Sequence, residues 1–246
     1  MINKISELLR NSTKTTIITG NGINEMLQVS TDTADKSIYS EVNISKLDCK
    51  DFDECNKDFI SYYKEACDKI SFNRPSKAYD IIKKWQDKNI VDLVITQNID
   101  GYHGTKKVIE LYGNIHTFYC KNCRKEFDIN YYNHSHNCDS YYTDYEDEYI
   151  KCSGVLRPSV VFQGEKPKHL ELALFNMYKS DLILIIGSDM KDSITNKLPV
   201  MAKDIGAKII AINKEPILSI SEHIDYSIYG EEVINTLEKL DNLIGW

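Results

Sequence analysis

The chain has 246 residues, 42% of them hydrophobic and 27% charged, which is typical of a soluble globular protein. Its formal charge of −7 argues against a nucleic-acid-binding face as the main function. It contains no run of about 18 apolar residues that would span a membrane, and its first segment lacks the apolar core of a secretory signal. We therefore expect a cytoplasmic protein whose seven cysteines are thiols or metal ligands.

The first predicted elements are an amphipathic helix, with Ile5 and Leu9 on one face, and a buried strand, TTIIT. The strand ends in the turn Gly20-Asn21-Gly22. A glycine pair after a first strand lets backbone amides approach a pyrophosphate closely. Because the third glycine of the dinucleotide fingerprint is missing, a plain tight turn is the alternative.

Two helices are predicted in the next region, near Asp51 to Lys69 and near Ser76 to Lys88. The three cysteines of this region lack the spacing of metal ligands, and we expect them to be buried or surface thiols. They are Cys49, Cys55 and Cys67.

A continuous apolar strand, VDLVIT, follows and is typical of a parallel strand whose two faces are both covered. Gln97, Asn98 and Asp100 lie where this strand should end. In open α/β sheets ligands bind beyond the carboxyl ends of the strands, so these side chains indicate a pocket. Because Asn and Asp are common turn residues, a polar loop cap is the alternative.

Four cysteines have a spacing that predicts a metal site. Cys120 and Cys123 form a CxxC motif, Cys138 follows after 14 residues, and Cys152 follows after 13 more. Zinc prefers four soft ligands from two loops in a tetrahedron. Such a site has no open position for a catalytic water, so we expect the zinc to be structural. Four unconnected thiols are the alternative.

The segment between the last two cysteines, DSYYTDYEDEYIK, is interpreted as a hairpin that keeps Cys138 and Cys152 close at its base. His134 or His136 could take the place of Cys138 as a ligand. The acidic and aromatic surface of the hairpin would suit a basic protein partner, and a solvated loop is the alternative. Its acidic residues are Asp139, Asp144, Glu146, Asp147 and Glu148.

The final third adds two buried strands, LILII and KIIAI, and a last helix from Glu231 to Leu240. The alternation of apolar strands and helices predicts an α/β fold, a Rossmann-like parallel sheet with helices on both faces plus a small inserted zinc-binding lobe. We assign residues 1–116 and 166–246 to the Rossmann-like domain. Residues 117–165 form the lobe, with an acidic insertion at 139–151.

The motifs TQNIDGYH, VIELYG and CKNC occur in this order, and they resemble the sirtuin family of NAD-dependent protein deacylases. That family typically carries TQNIDxLH, ELHG and CxxC. The segments GNGIN, LRPSVVFQGE, GSD and INKE are similar to the family's GAGIS, LRPxVVxFGE, GTS and INxE. The resemblance implies an NAD-binding domain, a structural zinc and an acyl-lysine protein or peptide as substrate.

The chain departs from the family at two places. Tyr112 occupies the position of the ELHG histidine, which is the general base of the family. The family's SGIPxFR loop, which folds over NAD, has no counterpart, and no arginine occurs between Arg10 and Arg74. The cofactor lid is therefore altered.

The resemblance assigns roles residue by residue. Asn98 would position water or ribose, Asp100 would order the nicotinamide pocket, and Tyr112 would stand at the base position. The peptide substrate would pair with the segment Val160, Val161, Phe162 and Gln163 as an added strand. The cofactor-binding residues implied are Gly20, Asn21, Gly22, Gln97, Asn98, Asp100, Gly187, Ser188, Asn213 and Glu215.

Tyrosine is a poor base, because its ordinary pKa is ~10 against ~6.5 for histidine. About one tyrosine side chain in a thousand would be ionised at neutral pH. Forming the ionised base would therefore cost roughly 4 kcal/mol. His116 or His103 could replace it, although His116 would need a bulge or turn to reach the site. The implied function is NAD-dependent lysine deacylation. The alternatives are an ADP-ribosyltransferase or NAD-cleaving enzyme on the same fold, and an inactive module that binds NAD or ADP-ribose.

Overall fold

The computed structural model describes most of the chain outside the region that follows the first glycine turn. Residues 1–24, 63, 67–68, 74–104, 106–134, 137–143, 148–162 and 165–245 are described. The altered cofactor loop, almost all of the helix expected near Asp51 to Lys69, and the residues His136 and Gln163 lie outside this part.

The helices and strands follow one another in an alternating order. The helices are α1 (Ile2–Asn11), α2 (Lys77–Asp87), α3 (Ile129–His134), α4 (Leu170–Met177), α5 (Lys197–Asp204) and α6 (Val233–Ile244). The strands are β1 (Thr15–Thr19), β2 (Leu93–Thr96), β3 (Val108–Glu110), β4 (Gly113–Cys120), β5 (Glu126–Asp128), β6 (Tyr141–Thr143), β7 (Tyr149–Lys151), β8 (Leu156–Val160), β9 (Leu182–Ile186), β10 (Lys208–Ile212) and β11 (Tyr226–Ile228). Short 3-10 turns cover Asn21–Ile23 and Ser221–His223.

The large sheet has six strands in the order β11-β10-β9-β1-β2-β3, and every pairing is parallel. All residues of β1, β2 and β9 are buried, as their continuous apolar sequences predict. The strand order reverses between β1 and β9. Strands β2 and β3 continue the sheet on the side of β1, and β10 and β11 continue it on the side of β9. In such sheets the crevice beyond the carboxyl ends at the reversal is the usual place for a ligand.

Helices cover both faces of the sheet, which confirms the predicted fold class. On one face α1, α2 and α6 pack on β1 and β2, with Ile5, Trp85 and Leu237 fully buried among the side chains. On the other face α4 and α5 bury Met177 and Leu198 against β9 and β10. In the described part of the chain, none of the helices has the length and apolar character needed to cross a bilayer.

The small lobe is a separate antiparallel sheet in the order β5-β4-β8. Strands β6 and β7 form an antiparallel hairpin between Cys138 and Cys152, which confirms the predicted hairpin. The backbone N–H of Cys152 donates to the Ser140 carbonyl at 2.7 Å, closing the hairpin at its base. The predicted division of the chain at residue 117 falls inside β4, and that division stays a prediction.

The four cysteines of the lobe converge on one point, and their sulfur atoms all lie within 4.8 Å of one another. Cys120 Sγ is 3.4 Å from Cys152 Sγ, and Cys123 Sγ is 3.7 Å from Cys138 Sγ. Four sulfurs bound to one zinc at ~2.3 Å lie about 3.8 Å apart in a tetrahedron. The cluster therefore fits zinc.

Three glycines bring the ends of β1 and β9 into close backbone contact. The N–H of Gly22 donates to the Gly187 carbonyl at 2.8 Å. A Cβ atom on Gly20 would lie 2.8 Å from that same carbonyl oxygen. Gly187 has a φ of +63°, and a Cβ there would lie 2.3 Å from the backbone nitrogen of Ile23. Glycine is needed here because two stretches of backbone pass with no room for a side chain.

This contact predicts a large difference between two glycine substitutions. Gly187→Ala should lower the free energy of unfolding by more than about 2 kcal/mol, because the new methyl meets backbone. Gly230→Ala is the matched control, since Gly230 also has a positive φ, +84°, but has nothing within 4 Å of its would-be Cβ. It should cost about 1 kcal/mol from backbone strain alone. Urea denaturation of both variants measures this, and equal losses would contradict the close contact.

The cysteine cluster predicts a zinc content of about one ion per chain. Cys152→Ser should remove most of the bound zinc and lower the melting temperature, because metal binding contributes directly to the stability of such lobes. Cys67→Ser is the control, since Cys67 lies outside the cluster. Elemental analysis and thermal melts measure both variants. Equal zinc contents in the two proteins would show that the cluster is not the metal site.

Candidate functional site

The end of β2 is held by a buried polar contact with α2. Asp100 is 1% exposed, and its carboxylate accepts a hydrogen bond from the Tyr79 hydroxyl at 2.8 Å and from the Tyr102 N–H at 2.9 Å. The side-chain amide of Asn98 donates to the same Tyr79 hydroxyl at 3.0 Å and to the Gly20 carbonyl at 3.1 Å. Asn98 and Asp100 are thus fixed next to the glycine turn, as a pocket requires. Sequence reasoning missed Tyr79, whose helical spacing resembles that of a core residue.

A row of polar side chains crosses the carboxyl ends of neighbouring strands. Ser188, after β9, donates to Gln97 Oε1, after β2, at 2.6 Å. Asn213, after β10, donates to the Ser188 carbonyl at 3.3 Å and to the Glu215 carbonyl at 2.9 Å. The predicted cofactor residues of the two halves of the sheet are therefore brought together. The side chain of Glu215 itself is exposed, as is that of Asn21.

Asn24, which replaces the serine of the family's GAGIS motif, was given no role by sequence reasoning. It is 2% exposed, and neither polar atom of its side-chain amide has a hydrogen-bond partner among the described residues. Such a group normally costs free energy unless something satisfies it. At the end of the glycine turn, an unsatisfied buried amide fits a polar ligand such as a dinucleotide.

The acidic residue of the GSD motif does not carry an isolated negative charge. Asp189 Oδ2 lies 2.8 Å from Lys191 Nζ, and both side chains are more than half exposed. The carboxylate is therefore paired and solvated, which reduces its repulsion toward a phosphate.

Tyr112 lies between the large sheet and the lobe, in the turn from β3 to β4. Its carbonyl accepts a hydrogen bond from the Val161 N–H at 2.9 Å. Burial raises the pKa of Tyr112 to about 12; a hydrogen bond with Thr195 acts in the opposite direction, and the charge of Asp192 adds to the increase. At pH 7 only about one tyrosine in 100,000 would be ionised, so the hydroxyl is a donor and a very weak base.

Asp192 and Thr195 both influence the pKa of Tyr112, and sequence reasoning missed both. The Asp192 carboxylate accepts from the N–H of Ile194 at 3.0 Å and from that of Thr195 at 2.7 Å. Although burial alone would raise the pKa of Asp192, these donors and the Tyr112 hydroxyl lower it. Thr195 in turn accepts from Gln97 Nε2 at 2.9 Å. Backbone donors thus favour the ionised form of Asp192.

The two histidines proposed as substitutes for Tyr112 both have other partners. His103 Nε2 lies 2.9 Å from Thr19 Oγ1, and burial lowers the pKa of His103 to about 4. His116 lies in an irregular part of β4, so the bulge it would need is present. Its Nε2 is 3.0 Å from the Asp100 carbonyl oxygen. Since a carbonyl can only accept, Nε2 is the donor and is not available to take a proton.

The predicted substrate segment begins with the last residue of β8. Val160 and Phe162 are 1% and 2% exposed, and the N–H of Val161 is held by Tyr112. The Glu165 carboxylate fixes the segment by accepting from the Phe162 N–H at 2.8 Å and from Arg157 at 2.7 Å. The segment is therefore anchored against the residue at the base position.

The comparisons with known proteins agree with this arrangement. The chain matches the model of the Sir2 family over residues 20–193, more than half of its length. It is 30% identical over 246 residues to an NAD-dependent protein deacetylase of Oceanobacillus iheyensis. The alignment covers 97% of this chain and 99% of that protein. It is also 30% identical over 233 residues to an NAD-dependent protein deacetylase of Saccharolobus solfataricus. That alignment covers 90% of each protein.

The fold has close counterparts among solved structures. The structure of Sir2Tm bound to a propionylated peptide is similar to this chain with a TM-score of 0.77 and 25% identity. The match covers 98% of this chain and 97% of that one. The sequence motifs, the doubly wound sheet, the cysteine cluster and these relatives lead to one conclusion, that the chain belongs to the Sir2 or sirtuin family.

Proposed function

We propose that this protein is an NAD-dependent protein lysine deacylase that transfers the acyl group to ADP-ribose and releases nicotinamide. The observation that carries the proposal is the hydrogen bond from the Val161 N–H to the Tyr112 carbonyl at 2.9 Å. It holds the predicted peptide-binding segment at the end of β3, next to the end of β2 that leads to Asn98. A peptide and a dinucleotide bound at these two places would meet at residue 112.

The glycine turn and the polar row across the strand ends would hold NAD. The contact between Gly22 and Gly187 fixes the turn whose backbone would approach the pyrophosphate, and Asn213 would lie toward the adenosine ribose. When bound, NAD supplies a ribose carbon that loses nicotinamide and accepts the acyl oxygen. The unsatisfied amide of Asn24 supports this placement.

The acyl-lysine substrate would pair with the segment from Val160 to Phe162. Main-chain hydrogen bonds give affinity in this mode and leave the side chains of the peptide largely free. The relatives support this substrate class, because the Oceanobacillus iheyensis protein is named a protein deacetylase and Sir2Tm was solved with a propionylated peptide.

The zinc would take no part in the reaction. Four thiolates from Cys120, Cys123, Cys138 and Cys152 complete its coordination and leave no position for water or substrate. Its contribution would be to hold β4 and β8 together, and with them the segment that binds the peptide.

A second candidate is NAD cleavage or ADP-ribosyl transfer on the same fold. The observation that favours it is the proton held on Tyr112, whose pKa is raised to about 12 by burial. Expulsion of nicotinamide needs no base at this position, whereas completion of deacylation needs one.

The two candidates differ in the fate of the peptide. When the protein is incubated with NAD and an acetyl-lysine peptide, we expect nicotinamide and deacetylated peptide to form in equal amounts, as chromatography and peptide mass would show. Nicotinamide without a change in the peptide would establish the second candidate instead. If neither product forms while calorimetry detects NAD binding, the protein is a binding module and the proposal is wrong.

Asn98 provides a second test of the pocket. Asn98→Ala should lower peptide-dependent nicotinamide release about 100-fold, because the amide positions the reacting ribose. Asn176→Ala is the control, since Asn176 is an amide on α4 that donates to the Leu172 carbonyl of its own helix. It should release nicotinamide at the rate of the unmodified protein. Equal rates of nicotinamide release in the two variants would show that Asn98 is not part of the pocket.

A further inference from the structure

Tyr79 is a buried tyrosine of α2 whose hydroxyl group lies between two residues of the proposed pocket. It is only 3% exposed. The hydroxyl donates to Asp100 Oδ2 at 2.8 Å and accepts from the side-chain nitrogen of Asn98, Nδ2, at 3.0 Å. A phenol has one hydrogen to donate, so the first contact uses the hydrogen and the second uses the oxygen. Tyr79 therefore connects the two pocket residues through a single atom.

The direction of the Asn98 amide follows from a second contact. Its Nδ2 also lies 3.1 Å from the Gly20 carbonyl oxygen. Because a carbonyl oxygen can only accept, the nitrogen end of the amide must face Gly20. The two N–H groups of Asn98 are then divided between the Gly20 carbonyl and the Tyr79 hydroxyl. Among the described residues no group donates to Asn98 Oδ1, so this oxygen is the polar atom of the side chain that is left for a ligand.

The ring of Tyr79 is held by two aromatic neighbours. The Tyr102 ring meets it edge-on, with the ring centroids 5.5 Å apart and an angle of 87° between the planes. The His103 ring centroid lies 4.5 Å from that of Tyr79. Tyr102 also donates its backbone N–H to Asp100 Oδ1 at 2.9 Å, so both oxygens of this carboxylate have a donor. Packing of this kind fixes the position of the Tyr79 oxygen.

We propose that Tyr79 is a positioning residue that directs Asn98 Oδ1 toward NAD, where this oxygen accepts a hydrogen bond from a hydroxyl group of the nicotinamide ribose. The role rests on the proposed function, because it concerns how that pocket holds NAD. An amide oxygen accepts and cannot donate, so it favours a hydroxyl group over a group that only accepts. Tyr79 would act through Asn98 and not through its own contact with NAD.

Removal of the Tyr79 hydroxyl would release the amide. In Tyr79→Phe one N–H of Asn98 loses its acceptor and Asp100 loses a donor, whereas the phenyl ring keeps its packing against Tyr102. A buried N–H without a partner is unfavourable, so the amide turns toward another acceptor. Oδ1 then no longer faces the ribose hydroxyl in every molecule.

Two NAD analogues with an altered ribose test this positioning. In one analogue fluorine replaces the 2′-hydroxyl of the nicotinamide ribose, and in the other fluorine replaces the 3′-hydroxyl. Fluorine cannot donate a hydrogen bond. Calorimetry without peptide should show that one of the two analogues binds the unmodified protein about 10-fold more weakly than NAD. The ratio of the two dissociation constants measures the hydrogen bond to Asn98, because the rest of the ligand is unchanged.

This ratio separates positioning from a purely structural role. A structural defect would weaken the binding of NAD and of the analogue equally, and the ratio would stay as it is in the unmodified protein. We expect the ratio to fall to about threefold or less in Tyr79→Phe and to about one in Asn98→Ala. The double variant should have the ratio of Asn98→Ala, because Tyr79 acts through Asn98.

Tyr63→Phe is the matched control. Tyr63 is also buried, and its hydroxyl donates to the Ile115 carbonyl at 3.0 Å. The substitution therefore removes a buried tyrosine hydroxyl without changing the contacts of Asn98, and it should keep the ratio of the unmodified protein. An equal ratio in Tyr79→Phe and in this control would overturn the positioning role. Equal binding of NAD and both analogues by the unmodified protein would also overturn it, because Asn98 would then accept from neither hydroxyl.

A measurement on the protein without NAD tests the contact itself. Nuclear magnetic resonance of nitrogen-labelled protein follows the two Nδ2 protons of Asn98, and Asn98→Ala assigns their signals. In Tyr79→Phe we expect one of the two signals to shift and its proton to exchange faster with water, because its acceptor is gone. Unchanged signals would overturn the hydrogen bond on which the positioning depends.

The failure of this role and the failure of the proposed function give different results. If the unmodified protein deacylates the peptide and Tyr79→Phe keeps the full ratio, the positioning role is wrong and the deacylase function stands. If the ratio falls in Tyr79→Phe as expected but the unmodified protein never deacylates, the proposed function is wrong and the positioning of NAD stands. If calorimetry detects no binding of NAD, both are wrong.

Discussion

The close contact between the ends of β1 and β9 is the constraint on which the site depends. Backbone of Gly22 and Gly187 meets there with no room for a Cβ atom, at the point where the order of strands reverses. Because the contact is made by main chain alone, the side chains that follow the neighbouring strands project over it. Ser188, Gln97 and Asn98 all reach one another or the glycine turn in this way.

The lobe meets this pocket from the other side, and Tyr112 is the residue at the junction. Its carbonyl accepts a hydrogen bond from the Val161 N–H, and its burial raises the pKa of the phenol. The family position for a base is therefore occupied by a residue that links the large sheet to the predicted peptide-binding segment.

Much of the fold could be predicted because the signals are local. Continuous apolar runs mark β1, β2 and β9, and CxxC with two later cysteines marks the metal cluster. The partners of the site residues could not be predicted in the same way. Tyr79 has the helical spacing of a core side chain, and Thr195, which accepts from Gln97, lies 98 residues further along the chain. Only the folded structure brings these side chains together, so their roles depend on contacts that no local pattern records.

The central claim is that one pocket joins NAD cleavage to removal of an acyl group from lysine. The most direct test is the mass of the nucleotide formed in a single turnover with NAD and an acetyl-lysine peptide. The account predicts ADP-ribose that carries the acetyl group, one molecule for each peptide deacetylated. Unmodified ADP-ribose, formed while the peptide keeps its acetyl group, would contradict it.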